Sequence, residues 1–181
     1  DQDKFILDHI NKKKCSLGFL PTASNDNTNK TDLFYKRFEI LDLNVSHFDL
    51  ISSVNGFENW LSNLDAVYIG GGNTKFMLEF WKENNLTGIF KEIYNSGTVL
   101  SGVSAGAACW FDCFLTDSDG PGYKPLNGIG LLSGSFTPHY SDSKRAEKYR
   151  ENIKNKTLPD GIGVDDGVAV LFIDGNPTEV Y

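Results

Sequence analysis

The sequence predicts an α/β protein, a mostly parallel sheet with helices on both faces. Three observations carry this. Short apolar runs bounded by turn residues alternate with segments whose apolar residues recur at helical spacing. Two of those runs end in glycine-rich turns that open helices, at residues 70–73 and 103–106. The chain has 181 residues with neither an internal repeat nor a linker, so residues 1–181 are expected to form a single domain around one core.

The elements follow in order. Residues 1–14 read as a polar N-terminal tail, and a start at Asp1 suggests a trimmed beginning. Residues 15–20 form an apolar run closed by Pro21, a buried strand feeding a loop rich in Asn, Thr and Ser. Leu33, Phe34, Phe38 and Leu41 are spaced for a helix over 31–41, with Thr31 or Asp32 as its cap. Residues 45–50 resemble a second strand, 57–64 a short helix, and 66–69 a third strand. Asn73 opens a helix carrying Phe76, Met77, Phe80 and Trp81, and another spans 86–94. A strand over 98–103 runs into Ser104 and a helix, on which Cys109 and Cys113 would lie four apart as core residues. Residues 117–134 hold most of the remaining Gly and Pro and read as a long loop. A charged helix over about 142–156 follows, and residues 161–176 suggest a closing β-hairpin around the Asp174-Gly175-Asn176 turn.

Composition narrows the function. A formal net charge of −7 repels phosphate backbones, and no Lys/Arg stripe offsets it, so nucleic acid is not an expected partner. The same field opposes a small acidic substrate unless local cations receive it. No apolar run is long enough to cross a bilayer, so no membrane partner is expected. Three cysteines, an odd number, suit reduced thiols and a cytoplasmic location. No histidine stands at metal-ligand spacing from Cys109 and Cys113, and neither a metal nor a cofactor is expected.

Gly102-Val103-Ser104-Ala105-Gly106 matches G-x-S-x-G, the nucleophile elbow. The need is steric: small neighbours let a sharp strand-to-helix turn form, with the serine hydroxyl outward and the next amide aimed at a developing oxyanion. A base must accompany the serine. His9 lies in the polar start and His47 inside a strand, which leaves His139, after Pro138 in a loop. For the acid that orients the base, Asp165, Asp166, Asp117 and Asp119 all stand on loops, and spacing does not choose among them. Gly70-Gly71-Gly72-Asn73-Thr74 ends a strand and starts a helix, so its amides suit a second oxyanion donor.

Taken together, Gly70-Gly71-Gly72-Asn73-Thr74, Gly102 to Ala107, Pro138-His139-Tyr140 and Asp165-Asp166-Gly167 stand in an order and spacing that resemble the peptidase E family of serine peptidases, aspartyl dipeptidases related to cyanophycinase. The resemblance covers residues 15–181. It implies a flavodoxin-like or class I glutamine amidotransferase-like sheet and hydrolysis of short peptide substrates, dipeptides with an N-terminal aspartate. It also implies Ser104 as nucleophile, His139 as general base and Asp166 as the acid, with Gly71 or Gly72 and Ala105 as oxyanion donors. The family's specificity for acidic substrates comes from cations, for which Lys144, Arg145 and Arg150 are the candidates here. Members carry a further strand ahead of the segment at Cys15, so this sheet is expected to lack one. A homodimer is compatible with the family. Two rival readings use the same sheet: a non-catalytic module binding a small anion at the 70–73 turn, and a relative of the amidotransferases, which use a cysteine at the elbow where Ser104 stands.

Overall fold

The computed structural model describes residues 2–10, 12, 14–39 and 41–181. Asp1, Asn11 and Lys13 of the expected tail, and Ile40 of the expected 31–41 helix, lie outside the described residues. The chain divides into two compact units, Ile6–Gly106 and Ala107–Tyr181, the latter together with the start of the chain.

The first unit is built on a four-stranded parallel sheet in the order β2-β1-β3-β4. Its strands are β1 (Ser16–Leu20), β2 (Asn44–His47), β3 (Ala66–Ile69) and β4 (Val99–Gly102). Ahead of β1 runs a helix, α1 (Gln2–Asp8), where a polar tail was expected. The reason is amphipathic: Leu7 and, just past the helix end, Ile10 pack on the core cluster of β1 and β3, a pattern hidden among charged neighbours. Successive strand residues point to opposite faces, and each face has its helix. Leu17 and Phe19 of β1 and Val45 of β2 join Phe34 and Phe38 of α2 (Thr28–Phe38). On the other face Ser46 accepts a hydrogen bond from the indole N–H of Trp60, on α3 (Phe57–Ser62), at 3.0 Å. Helix α2 starts earlier than its apolar pattern suggests, because the Asn27 side chain caps it through the Asn29 amide. Helices α4 (Thr74–Glu83) and α5 (Thr87–Asn95) bury Trp81 against Phe90, ring centroids 4.3 Å apart. After β4 comes α6 (Ala105–Ala108), at the boundary between the units.

The second unit holds a four-stranded mixed sheet, β6-β5-β7-β8, and a separate hairpin. Strand β5 (Phe111–Thr116) pairs antiparallel with β6 (Lys124–Asn127) and parallel with β7 (Leu132–Thr137), which pairs parallel with β8 (Gly161–Gly163). Two expectations are corrected here. The 117–134 segment is not one long loop, since it supplies β6 and the start of β7. Cys109 and Cys113 do not share a helix: α6 stops at Ala108, and Cys113 lies in β5, whose aromatic-rich run buries Phe111 and Phe114 as a strand does. Helix α7 (Ser143–Lys154) is the expected charged helix, capped by Asp142. The hairpin consists of β9 (Val170–Ile173) and β10 (Asn176–Val180) around the expected turn, whereas β8 belongs to the sheet. No helix among the described residues is long and apolar enough to cross a membrane.

Candidate active site

Ser104 and the 70–73 turn lie in the first unit. Ser104 follows β4 with φ +54°, in the left-handed region that a non-glycine residue occupies only when its surroundings hold it there. Two backbone bonds fix the bend: Val103 N–H donates to the Ile69 carbonyl at 3.2 Å, and Gly106 N–H to the Val103 carbonyl at 2.9 Å. Glycine is required at 106 because a Cβ there would collide with the Ile69 carbonyl, so β3 and the elbow approach backbone to backbone.

The 70–73 turn ends β3 directly beside this serine. A Cβ built on Gly71 would stand 3.3 Å from the Ser104 Cβ. Accounting for the turn's amides separates donors already used from donors left for a ligand. Gly70 N–H donates to the Leu20 carbonyl at 3.0 Å, and Asn73 N–H to the Ala23 carbonyl at 2.7 Å. Between them, the amides of Gly71 and Gly72 donate to no acceptor among the described residues. Gly72 has φ +153°, and a Cβ on it would meet the Ala23 carbonyl, so the 22–24 turn (Thr22–Ser24) braces it from behind. The Asn73 side chain caps α4 through the Phe76 amide at 2.8 Å, which holds the turn at the helix start. Ala105 begins α6, and a first-turn amide has no acceptor within its helix.

His139 and Asp166 lie in the second unit. His139 leaves β7 after Pro138, also with a left-handed φ of +54°. Asp142 N–H closes the bend onto the His139 carbonyl at 3.0 Å, and Tyr140 N–H donates to the Val164 carbonyl at 3.0 Å. His139 Nδ1 stands 2.5 Å from Asp166 Oδ1, with the imidazole 41% and the carboxylate 66% exposed. The other acids are placed differently. Asp117 pairs with the Arg145 guanidinium at 3.1 Å, and Asp119 lies 3.7 Å from the Lys124 ammonium. Asp165 sits in the exposed turn beside Asp166, where its carbonyl accepts from Val168 N–H.

Of the candidate cations, Arg145 is buried. It donates to the Leu115 carbonyl, pairs with Asp117 and lies over the Tyr123 ring at 4.6 Å, so its charge is spent within the unit. Arg150 is exposed, and donates to the Tyr140 hydroxyl at 2.9 Å, beside His139. Lys144 is exposed in the first turn of α7. Asp142, which caps α7, accepts the Tyr123 hydroxyl at 3.0 Å, and these hydrogen bonds hold its carboxyl below the ordinary range. His47 is a satisfied strand histidine, 2.9 Å from the Tyr35 hydroxyl. Among the described residues no cluster of His, Cys, Asp or Glu could hold a metal ion.

Sequence reasoning missed the carbonyls of Leu20 and Ala23, which decide which amides of the glycine turn remain available. No residue-type signal marks a backbone acceptor, so only the fold reveals them.

The architecture is of the α/β class, with the 70–73 turn and Ser104 at the ends of the parallel strands β3 and β4. The chain belongs to peptidase family S51, whose family model matches residues 1–180. It is 41% identical over 174 residues to the uncharacterized peptidase YgaJ of Bacillus subtilis (strain 168), covering 95% of this chain and 75% of that protein. It is 30% identical over 98 residues to peptidase E of Nostoc sp. (strain PCC 7120 / SAG 25.82 / UTEX 2576), covering 53% of this chain and 40% of that one. The fold is that of a Listeria monocytogenes EGD-e protein assigned as a peptidase E, with TM-score 0.72 at 19% identity over 98% of this chain and 90% of that chain. A peptidase from an acI-B1 Actinobacterium shares it, with TM-score 0.68 at 19% identity over 93% and 75%.

Proposed function

We propose that the chain is a serine-type peptidase that hydrolyses short peptides, dipeptides with an N-terminal aspartate, through Ser104, His139 and Asp166. The observation that carries this reading is the 2.5 Å contact between His139 Nδ1 and Asp166 Oδ1. A carboxylate on Nδ1 holds the proton there and leaves the basic electron pair on Nε2, the form a general base needs. Of the four candidate acids, Asp166 meets the His139 imidazole, while Asp117 and Asp119 are matched to cations.

The chemistry then runs as acyl transfer. Ser104 Oγ attacks the peptide carbonyl as His139 takes its proton. The oxyanion is received by the amides of Gly71 or Gly72 and Ala105, and losing one such donor typically costs about a hundredfold or more in rate. His139 passes the proton to the departing amine, and water, activated by the same imidazole, releases the acyl group. The reaction requires Ser104 and His139 to come within hydrogen-bond reach in the working enzyme. Arg150 is the cation we assign to the substrate carboxylate, since Arg145 is engaged by Asp117 and the Leu115 carbonyl. With −7 on the chain, this local charge must outweigh a repulsive field, so salt should weaken the preference it creates.

The test is hydrolysis of Asp-Leu and Ala-Leu by the wild-type chain and by Ser104→Ala. Asp-Leu is expected to be cleaved faster, and the substitution to lower kcat/KM by at least about a thousandfold. Equal rates on the two dipeptides would remove the acidic-substrate assignment, and an active Ser104→Ala would remove the nucleophile.

A further inference from the structure

We infer that Ser141 is a positioning residue for the His139–Asp166 pair, an inference that rests on the triad reading above. Asp166 lies on an exposed turn beyond β8, and its carboxylate is 66% exposed. Such a side chain has several rotamers open to it, and every arrangement turned away from His139 leaves the imidazole without its anchor. Within the turn, Val168 N–H donates to the Asp165 carbonyl at 3.2 Å, which closes the turn on itself but fixes nothing relative to the histidine. Tyr140 N–H ties the start of the turn to the bend through the Val164 carbonyl, and at Asp166 itself the link is a second bond: its backbone N–H donates to Ser141 Oγ at 3.3 Å.

Asp166 itself is therefore joined to the histidine bend twice. The imidazole meets the Asp166 carboxylate, and two residues along the same bend the Ser141 hydroxyl holds the Asp166 backbone. Ser141 is a fixed point because the bonds flanking it are made, from Tyr140 N–H to the Val164 carbonyl and from Asp142 N–H to the His139 carbonyl. The two bonds close a ring through the bend and the turn. Opening it at Ser141 leaves the carboxylate able to reach His139 but no longer confined to doing so. The effect belongs in the catalytic step, because the Ser141 oxygen accepts from the Asp166 backbone and so acts on the position of the acid.

The test uses the full chain as wild type, Ser141→Ala, Ser141→Thr and His139→Ala, with kcat and KM on Asp-Leu and the downfield proton NMR signal of the His139 Nδ1–H as readouts. Ser141→Ala is expected to lower kcat about fivefold with KM unchanged, the size of one modest hydrogen bond, and to broaden the downfield signal. Ser141→Thr, which keeps the hydroxyl, should restore both. Because Ser141 is exposed, the melting temperature should stay near that of wild type. Wild-type kcat and an unchanged signal in Ser141→Ala, beside an inactive His139→Ala, would overturn the positioning role alone. Full activity in His139→Ala would overturn the triad reading and this inference with it.

Discussion

A serine at φ +54° and a histidine at φ +54° each cost on the order of 1–3 kcal/mol relative to relaxed backbone, and both persist because neighbouring backbone bonds hold them. At Ser104 the strain turns the side chain out of the strand direction toward Gly71. At His139 it sets the imidazole against Asp166. Neither angle can be read from a residue name, although the G-x-S-x-G pattern marked the first because the small residues that permit the bend are visible. Gly72 is the position where this logic is most exposed to mutation. Gly72→Ala would put a Cβ on the Ala23 carbonyl at a φ that alanine rarely adopts. It is expected to lower unfolding stability by about 2–3 kcal/mol, and kcat by at least about tenfold as the Gly71 and Gly72 amides shift. Denaturant midpoints and steady-state rates check both, and a variant matching wild type in each would show that the turn has room to relax.

Among the elements, those with strong periodicity and a local stop signal were legible in the sequence. Strand β3 ends at Ile69 because Gly70 begins the turn, α4 starts after Asn73 because asparagine caps it, and α7 starts after Asp142 for the same reason. Elements whose pattern is local but ambiguous were not. The alanines at 105, 107 and 108 favour helix and the aromatic run after them favours strand, and only pairing with β7 and β6 decides where one gives way to the other. Strand β6 is four residues with a proline, invisible without its partner β5. Helix α7 is tied to β7 by a buried pair: Tyr149 OH lies 2.7 Å from Ser135 Oγ, which donates to the Pro159 carbonyl. Burial pushes the Tyr149 hydroxyl up to about 12. The unfolded chain would ionise near about 10, so the fold favours the protonated form. That contribution is fully present below about pH 10 and is lost as pH rises from there toward 12. Tyr149→Phe should cost about 1 kcal/mol at neutral pH and should lose less stability than wild type between pH values of about 9 and 11.5. Parallel slopes in urea midpoints for the two proteins over that range would contradict the burial of this hydroxyl.

At the scale of the whole molecule, the order of motifs along the chain was enough to identify the family, because four short patterns recur together far less often than any one of them. Residue type and spacing alone did not choose the acid, and Asp166 was named only through the family resemblance. Asp117, Asp119, Asp165 and Asp166 are alike as loop residues, and what separates them is which cation or imidazole the fold brings to each. The role of Arg145 was hidden for the same reason, since burial against Asp117 and Leu115 is a long-range outcome. The two units divide the proposed chemistry, with Ser104 and its amide donors in one and His139 with Asp166 in the other. The most direct measurement is labelling of the full chain with a fluorophosphonate probe, located by mass spectrometry, in wild type and in His139→Ala. The account predicts a single adduct on Ser104 that is lost when the imidazole is removed. An adduct elsewhere, or undiminished labelling of Ser104 without His139, would contradict it.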